Sequence, residues 1–245
     1  MIPSIAVRLV NLYWGVVQHI SPAAVRAAHP PAPPSLPGRR VLLVHGIYDS
    51  ATSMAWVKRT LENRGWQACA ISLTPSDGSI SFDAMARQVQ GFVAANYAPE
   101  EKFDLVGFSM GGLVCRYYIQ KLGGAGHIRR FVTISTPNNG SLWALLGGGA
   151  GVREMRPGSD MLRDLNSNAA ELAALEYTSI YTPLDLAIVP SISSRLPVAR
   201  NVIAWVPLHP LMLMMSKPLR MVVEALDATP GRQETPSPQA AAAGQ

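Results

Sequence analysis

The stretch Asp104-Leu105-Val106-Gly107-Phe108-Ser109-Met110-Gly111-Gly112 decides how this chain folds. An apolar run leads into Gly-x-Ser-x-Gly and an amphipathic segment follows, which is typical of a strand that turns sharply into a helix. Glycine is needed at 107 and 111 because a Cβ there would collide with the neighbouring strand or the new helix. The pattern predicts a nucleophile elbow that lifts the Ser109 hydroxyl above the sheet; an ordinary turn with an inert serine is the alternative.

Apolar runs alternate with amphipathic segments on both sides of this turn. The predicted strands are residues 41–44, 67–73, 105–108, 131–134, 178–181 and 201–205. The predicted helices are residues 53–64, 81–97, 110–122, 161–175 and 218–226. This alternation predicts an α/β fold, with a mostly parallel sheet of about six strands and helices on both faces. The loops after the strands then meet at one edge, where a site must lie.

Composition narrows the classes of protein to consider. The chain has 245 residues, of which 48% are hydrophobic, enough for one α/β domain with extensions. The net charge is +5 without a basic cluster interleaved with aromatic residues, so nucleic-acid binding is not expected. Cys69 and Cys115 lie in apolar segments and are predicted to be buried free thiols. The sequence has neither the Cys/His spacing of a zinc site nor a phosphate-binding glycine loop.

The two ends of the chain are predicted to lie outside the α/β domain. Residues 2–20 carry polar residues every three or four positions, which predicts a helix with a broad apolar face. Arg8 and Asn11 disfavour a transmembrane span, and the broken apolar core disfavours a secretory signal. A helix on a membrane surface or docked on the protein is favoured, a signal peptide over residues 1–27 stays open as an alternative, and a cytoplasmic or peripheral membrane location is favoured over secretion.

The predicted domain organisation has three parts. Residues 1–38 contain the amphipathic helix and a proline-rich linker, which is expected to be stiff and extended. Residues 39–227 form the α/β domain. Residues 228–245 have no apolar pattern and are predicted to be disordered.

A serine hydroxyl needs a base to take its proton and a carboxylate to orient that base. On elbow-type sheets these residues follow one another in the order serine, acid, histidine. His209 is the one histidine that follows a strand after Ser109 and leaves room for an acid in between, and Asp185 stands just past the strand before it. We therefore predict Ser109 as nucleophile, His209 as general base and Asp185 as orienting acid. A surface loop histidine and an exposed loop aspartate are the alternatives.

Backbone amides and apolar side chains complete the predicted site. The amides of Met110, directly after the nucleophile, and Ile47, in the loop after the first strand, are predicted to bind the oxyanion. Gly46 allows that loop to approach closely, and His45 is predicted to be a structural hydrogen-bonding residue. Apolar residues beyond strand ends and after His209, including Met212 and Leu213, predict an acyl-binding surface, with core packing as the alternative. The candidate substrate-binding residues are Tyr48, Leu142, Trp143 and Leu211.

Together these motifs resemble the lipase and esterase branch of the α/β-hydrolases, most nearly small bacterial triacylglycerol lipases without a large cap. Val44-His45-Gly46 resembles the oxyanion loop of that family, and residues 107–112 resemble its elbow. Residues 135–141 are similar to its Thr-Pro-His-x-Gly-Ser turn, with Asn138 where the family often has histidine, and Pro157-Gly158-Ser159 is similar to a helix start seen there. The resemblance covers roughly residues 40–226 and implies chemistry without a metal or organic cofactor.

The expected activity is hydrolysis of carboxylic esters with lipid-like acyl chains. Amide or thioester hydrolysis and acyl transfer use the same residues and stay open as alternatives. A non-catalytic lipid- or partner-binding protein of the same fold is the alternative from another class. The expected partners are a small-molecule ester or lipid and, through residues 2–20, a membrane surface. Oligomeric state, acyl length and head group do not follow from the sequence.

Overall fold

A computed structural model describes residues 35–36 and 38–228. Within them, six strands form one parallel sheet in the order β2-β1-β3-β4-β5-β6. The strands are β1 (Arg40–Val44), β2 (Gln67–Ile71), β3 (Phe103–Phe108), β4 (Ile128–Ile134), β5 (Glu176–Tyr181) and β6 (Arg200–Ile203). The predicted α/β fold with a parallel six-stranded sheet is confirmed. The strands begin at one edge, here called the amino edge, and end at the other, the carboxyl edge.

Seven α-helices connect or follow these strands within the described residues. They are α1 (Ala55–Glu62), α2 (Phe82–Asn96), α3 (Met110–Lys121), α4 (Ala150–Glu154), α5 (Asp160–Ser167), α6 (Ala170–Ala173) and α7 (Ser216–Asp227). None of these helices has the length and apolar character that a bilayer crossing requires. The helix predicted within residues 2–20, most of the linker and nearly all of the tail lie outside the described residues.

Two predicted elements differ from the structure. The helix predicted over 161–175 is two helices, because Asn168 ends the first: its side-chain amide donates to the carbonyl of Asp164 at 2.9 Å and competes with the helical backbone. The strand predicted over 201–205 ends at Ile203, so Trp205 lies in the loop beyond β6. The other elements match their predictions with small shifts at the ends.

Two hydrophobic cores lie on opposite faces of the sheet. Successive strand residues point to opposite faces, so Leu42 packs with α2 and α3 while Leu43 packs with α1 and α7. Both leucines are fully buried, as expected for a central strand covered on both sides. The layered arrangement fixes β3 in the middle of the molecule and places its end at the centre of the carboxyl edge.

Charged side chains are paired at the amino edge. The carboxylate of Asp104, near the start of β3, is fully buried and accepts two hydrogen bonds from Arg129, from Nε at 2.9 Å and Nη2 at 2.6 Å. Trp66 Nε1 donates to the same carboxylate at 3.1 Å. A two-pronged pair of this kind is strong and directional, and it ties β3 to β4 and to the turn before β2.

Both cysteines are free thiols, as predicted, but only Cys115 has the predicted burial. Cys69 lies half-buried in β2, and Cys115 lies fully buried in α3. Burial raises the pKa of the Cys115 thiol, so this side chain stays protonated and packs as a small apolar group.

Candidate active site

A strained serine connects β3 to α3. β3 ends at Phe108 and α3 begins at Met110, and the residue between them, Ser109, has φ 52° and ψ −125°. Positive φ is uncommon for a residue with a side chain, and the surrounding structure must hold it in place. The Ser109 amide donates to the carbonyl of Ile134 at 2.9 Å, and its carbonyl accepts from the Gly112 amide at 3.1 Å. The turn is therefore fixed from both the neighbouring strand and the new helix.

The glycines around Ser109 are required by close backbone contacts. A Cβ on Gly107 would lie 2.5 Å from the Cα of Gly112, at the start of α3. A Cβ on Gly111 would lie 2.2 Å from the carbonyl oxygen of His45, at the end of the neighbouring strand β1. Both are the collisions expected from the sequence, and they leave no room for any other residue at these positions.

Asp185 and His209 form a buried pair at the same edge. Asp185 lies in the loop after β5, and His209 begins a 3-10 turn, His209–Leu213, in the loop after β6. His209 Nδ1 lies 2.7 Å from Asp185 Oδ2, and the two residues are only 3% and 5% exposed. The other carboxylate oxygen accepts from the amides of Ala187 and Ile188 at 2.9 and 3.0 Å. Because the carboxylate accepts at Nδ1, Nε2 is left as the basic nitrogen of the imidazole.

The pKa of Asp185 and the position of the His209 ring both favour this arrangement. Burial by itself would raise the pKa of Asp185, but the charge and hydrogen bond of His209 and two backbone amides outweigh it, and the pKa lies below its ordinary value. The His209 ring packs on Phe108 with centroids 4.6 Å apart. The loops after β5 and β6 thus bring the imidazole and its carboxylate against the residue that precedes Ser109.

His45 is held by the main chain at both ring nitrogens. Nε2 accepts from the amide of Leu73 at 2.9 Å, which assigns the proton to Nδ1, 2.8 Å from the carbonyl of Gly46. Burial lowers the pKa of His45 and keeps the ring neutral, despite the bond to Gly46. The structural hydrogen-bonding role predicted for His45 is confirmed: it ties the loop after β1 to the end of β2.

The loop after β1 passes directly over Ser109. A Cβ on Gly46 would lie 3.0 Å from the Cβ of Ser109, so this glycine allows the closest approach of the loop. Ile47 follows immediately and is partly buried, and Tyr48 adopts φ 58° with its amide donating to Ser76 at 2.7 Å. Ile47 and Met110, whose amides are the predicted oxyanion donors, thus belong to the two segments that border Ser109.

The predicted substrate-binding side chains divide into exposed and packed groups. Tyr48, Leu142 and Trp143 are each nearly half exposed at the carboxyl edge. Leu211 is partly buried against the core on the α1 and α7 face. Met212 and Leu213 are buried, so the alternative of core packing applies to these two residues. A 3-10 turn places residues three apart on the same side, so Met212 follows the buried His209 into the protein.

Sequence reasoning missed a buried network that holds the loop after β4. Arg116 of α3 is fully buried, burial lowers its pKa to about 10, and it donates to the side-chain oxygens of Asn138 and Asn166 at 3.3 and 2.9 Å. Asn138 in turn donates to the carbonyl of Ser194 at 2.7 Å and to the hydroxyl of Tyr177 at 3.2 Å. The amide of Asn138 therefore has its hydrogen bonds satisfied at the position where the resembled family often has histidine. The signal in the sequence was an arginine within the apolar first part of α3, residues 110–119.

The groups brought together at the carboxyl edge are a hydroxyl, an imidazole on a carboxylate, and backbone amides. Such a set can carry out nucleophilic acyl transfer through a covalent intermediate. Across residues 35–36 and 38–228, no group of three or more His, Cys, Asp or Glu side chains is positioned to hold a metal ion.

One family model matches more than half of this chain. It is described as palmitoyl protein thioesterase and matches residues 40–183. The match includes Ser109 and ends before Asp185 and His209.

Similar solved structures include the Bacillus licheniformis lipase BlEst2 in mature form, with 17% identity and a TM-score of 0.58 over 80% of this chain and 94% of that one. Bromoperoxidase from Bacillus anthracis is similar at 12% identity and a TM-score of 0.59 over 79% and 94% of the two chains. The ydeN gene product of B. subtilis is similar at 15% and 0.56 over 78% and 100%. At these identities the likeness shows a shared fold.

Proposed function

This chain belongs to the palmitoyl protein thioesterase family of α/β-hydrolases, and on that premise we propose that it is a serine hydrolase that cleaves carboxylic esters with lipid-like acyl groups. The α/β-hydrolase fold predicted from the sequence is confirmed by the six-stranded sheet and by the similar structures, and residues 38–228 contain no large cap. The chain is thus a hydrolase of this type. The ester substrate and the roles of individual residues are our proposal.

One observation carries the proposal. His209 donates through Nδ1 to Asp185 at 2.7 Å, and its ring lies against Phe108, beside the strained Ser109. A hydrogen-bonded pair that served only stability would not need a serine with positive φ next to it, since such backbone strain persists mostly where function requires it. The pair and the strained serine come from three different loops, and their meeting at one edge supports a shared catalytic role.

In the proposed reaction, Ser109 Oγ attacks the ester carbonyl carbon while His209 Nε2 takes the hydroxyl proton. The carbonyl electron pair moves onto oxygen, and the negative charge of Asp185 stabilises the imidazolium. The tetrahedral intermediate then collapses, the bond to the alcohol breaks, and the alcohol leaves with the proton from His209. Water attacks the acyl-enzyme by the same route, releasing the carboxylic acid and returning the proton to Ser109.

The amides of Met110 and Ile47 are proposed to bind the oxyanion. Met110 is the first residue of α3, where the amides have no partner within the helix and favour negative charge. The Ile47 amide follows Gly46, which lies in contact with Ser109. One donor of this kind contributes about 10²–10³ in rate.

The acyl group is proposed to lie along apolar side chains beside Ser109. Tyr48, Leu142 and Trp143 present exposed apolar surface on the loops after β1 and β4, and Leu211 follows His209. Apolar side chains that border a polar catalytic centre suit a substrate with a hydrocarbon tail and a reactive carbonyl.

Thioester hydrolysis is the second candidate, and the description of the matching family favours it. The same residues would act, with a thiol in place of the alcohol as the leaving group. Because the acyl-enzyme is identical in the two reactions, the difference lies only in which leaving group the site accepts.

The test combines a probe with matched substrates. A fluorophosphonate probe should label the full chain at Ser109, and Ser109→Ala should abolish both labelling and turnover. Oxygen esters and thioesters with the same butyryl, octanoyl and palmitoyl chains should then be compared by kcat/KM. A preference for oxygen esters supports the first candidate, and a preference for thioesters supports the second.

Two results would count against the proposal. Failure of the probe to label the folded protein would favour a lipid- or partner-binding protein of the same fold. Formation of new esters instead of free acid, when an alcohol competes with water, would make the chain an acyltransferase. Product analysis of the same reactions distinguishes these outcomes.

A further inference from the structure

Large apolar side chains stand exposed on three neighbouring loops of the carboxyl edge. The loops follow β4, β5 and β6, which lie side by side in the sheet. We call this surface the apolar rim, and its members are Leu142, Trp143, Leu145, Leu146, Leu184, Leu186, Trp205 and Leu208. Leu186 is 69% exposed and Trp205 is 62% exposed, more than any other large apolar side chain of the described residues. An exposed apolar surface of this extent marks an interaction site.

Hydrogen bonds between the loops join the apolar rim into one surface. Trp143 Nε1 donates to the carbonyl of Leu186 at 2.7 Å, and the amide of Leu142 donates to Val189 at 2.8 Å. Thr182 Oγ1 donates to the carbonyl of Val206 at 2.6 Å and so ties the second loop to the third. The exposed residues are therefore held on a fixed platform around the Asp185 and His209 pair.

Few titratable side chains lie on the segments that form this platform. In residues 135–152, 182–194 and 201–216, the titratable charged or imidazole side chains are Asp185 and His209, which are buried against each other. The first charged residue after each of these segments is an exposed cation. These cations are Arg153, Arg195 and Lys217. No exposed carboxylate occurs within these three segments, and a cation follows each of them in the sequence. The nearest carboxylates belong to Glu154, next to Arg153, and Asp77, on the turn packed against residues 149–152.

We propose that the apolar rim docks on the surface of an anionic lipid bilayer. The leucines would enter the acyl region, and the indoles of Trp143 and Trp205 suit the boundary between hydrocarbon and head groups. Arg153, Arg195 and Lys217 would meet anionic head groups, which attract basic residues near the membrane. A soluble protein partner is less well matched, because such interfaces surround their apolar centre with polar residues.

Docking in this way would present the catalytic edge to acyl groups that lie in the membrane. That consequence rests on the proposed function, whereas the docking itself needs no catalysis. The two ideas can therefore fail separately, and the experiment measures binding first.

The experiment is flotation of the full chain with phosphatidylcholine vesicles, with and without phosphatidylserine. The native protein should float with the anionic vesicles and less with the neutral ones. Leu186→Glu combined with Trp205→Glu should lower the floated fraction about 10-fold or more, since two large apolar side chains can no longer be buried. Circular dichroism checks that the variant is folded.

The matched control is Leu36→Glu, which places a charge on a leucine that is 52% exposed at the amino edge. This variant should float as the native protein does. Ser109→Ala should also float, which separates docking from catalysis. A third variant, Leu9→Glu with Val16→Glu in the full chain, tests the membrane contact predicted for residues 2–20.

The proposal is overturned if the native protein does not float, or if the Leu186 and Trp205 variant floats as well as Leu36→Glu does. Loss of flotation only in the Leu9 and Val16 variant would assign the contact to residues 2–20 instead. Equal flotation with neutral and anionic vesicles would contradict the role of the basic residues.

Discussion

The amino and carboxyl edges of the sheet each bury one carboxylate, and the two carboxylates have different partners. Asp104, at the amino edge, is fully buried and is held by Arg129, which keeps its charge at all relevant pH values. Asp185, at the carboxyl edge, is 5% exposed and lies 2.7 Å from Nδ1 of His209, the residue proposed as general base. In the proposed function, a buried aspartate beside an arginine serves stability and a buried aspartate beside a histidine serves chemistry, because an imidazole can accept and return a proton and a guanidinium cannot.

Asp185→Asn should give the largest effect of the substitutions that test this contrast. The asparagine keeps the size of the side chain and can still accept from the amides of Ala187 and Ile188, but it no longer stabilises the imidazolium of His209. We expect kcat to fall about 10⁴-fold. Steady-state turnover of a chromogenic ester measures this, and a thermal melt close to that of the native protein serves as the control. Near-native kcat would show that another carboxylate orients His209.

Asp104→Asn should have the opposite profile. The substitution leaves Arg129 and Trp66 without the charge they now bind, and breaking a buried ion pair is costly. Because Arg129 is 32% exposed and can turn to solvent, we expect a loss of about 3 kcal/mol in the free energy of unfolding, at the lower end of such cases. Urea denaturation measures it. Unchanged kcat is expected, and a large fall in kcat at native stability would contradict the division between the edges.

Features governed by local sequence were the ones that could be predicted. The elbow depends on two glycines whose neighbours are fixed by the strand and helix that flank them, and the collisions are as expected. The sheet follows from apolar runs of strand length, and strand ends then locate Asp185 and His209 at one edge. Chain order and strand position led to these two residues, and in the structure their side chains lie 2.7 Å apart.

Features governed by contacts distant in sequence could not be predicted. The hydrogen bond from Arg116 to Asn138 joins residues 22 positions apart, and that from Asn138 to Ser194 spans 56. Met212 could not be assigned to the surface or to the core, because an apolar residue after a strand fits both until the 3-10 turn is known. The same ambiguity hid Trp205, whose exposure depends on where β6 ends.

His45, the other buried histidine of the carboxyl edge, should give a smaller effect, on the pH dependence of stability. Burial lowers the pKa of His45 in the folded state below its ordinary value of 6.5. Below pH 6.5 His45 binds a proton in the unfolded chain but stays neutral in the folded protein. The free energy of unfolding therefore falls as the pH drops from 6.5 towards the folded pKa, and His45 does not change it above pH 6.5. His45→Gln should flatten this part of the curve, measured by urea denaturation across the range. If His45→Gln leaves the slope of stability against pH unchanged, His45 must bind its proton equally well in the folded and unfolded states.

Trp143→Phe should give the smallest effect, and it tests whether the carboxyl edge depends on links between its loops. Phenylalanine keeps an aromatic ring but loses the hydrogen bond from Nε1 to the carbonyl of Leu186, one residue from Asp185. Because Trp143 is 46% exposed, water can replace the lost hydrogen bond. We therefore expect the free energy of binding a long-chain ester to weaken by about 0.5–1 kcal/mol, which corresponds to a few-fold rise in KM at unchanged kcat. Trp205→Phe, on the loop after β6, is the matched control and should leave KM closer to native. A fall in kcat with Trp143→Phe would instead mean that the loop after β4 holds Asp185 in position, so that the proposed catalytic pair depends on the apolar surface around it.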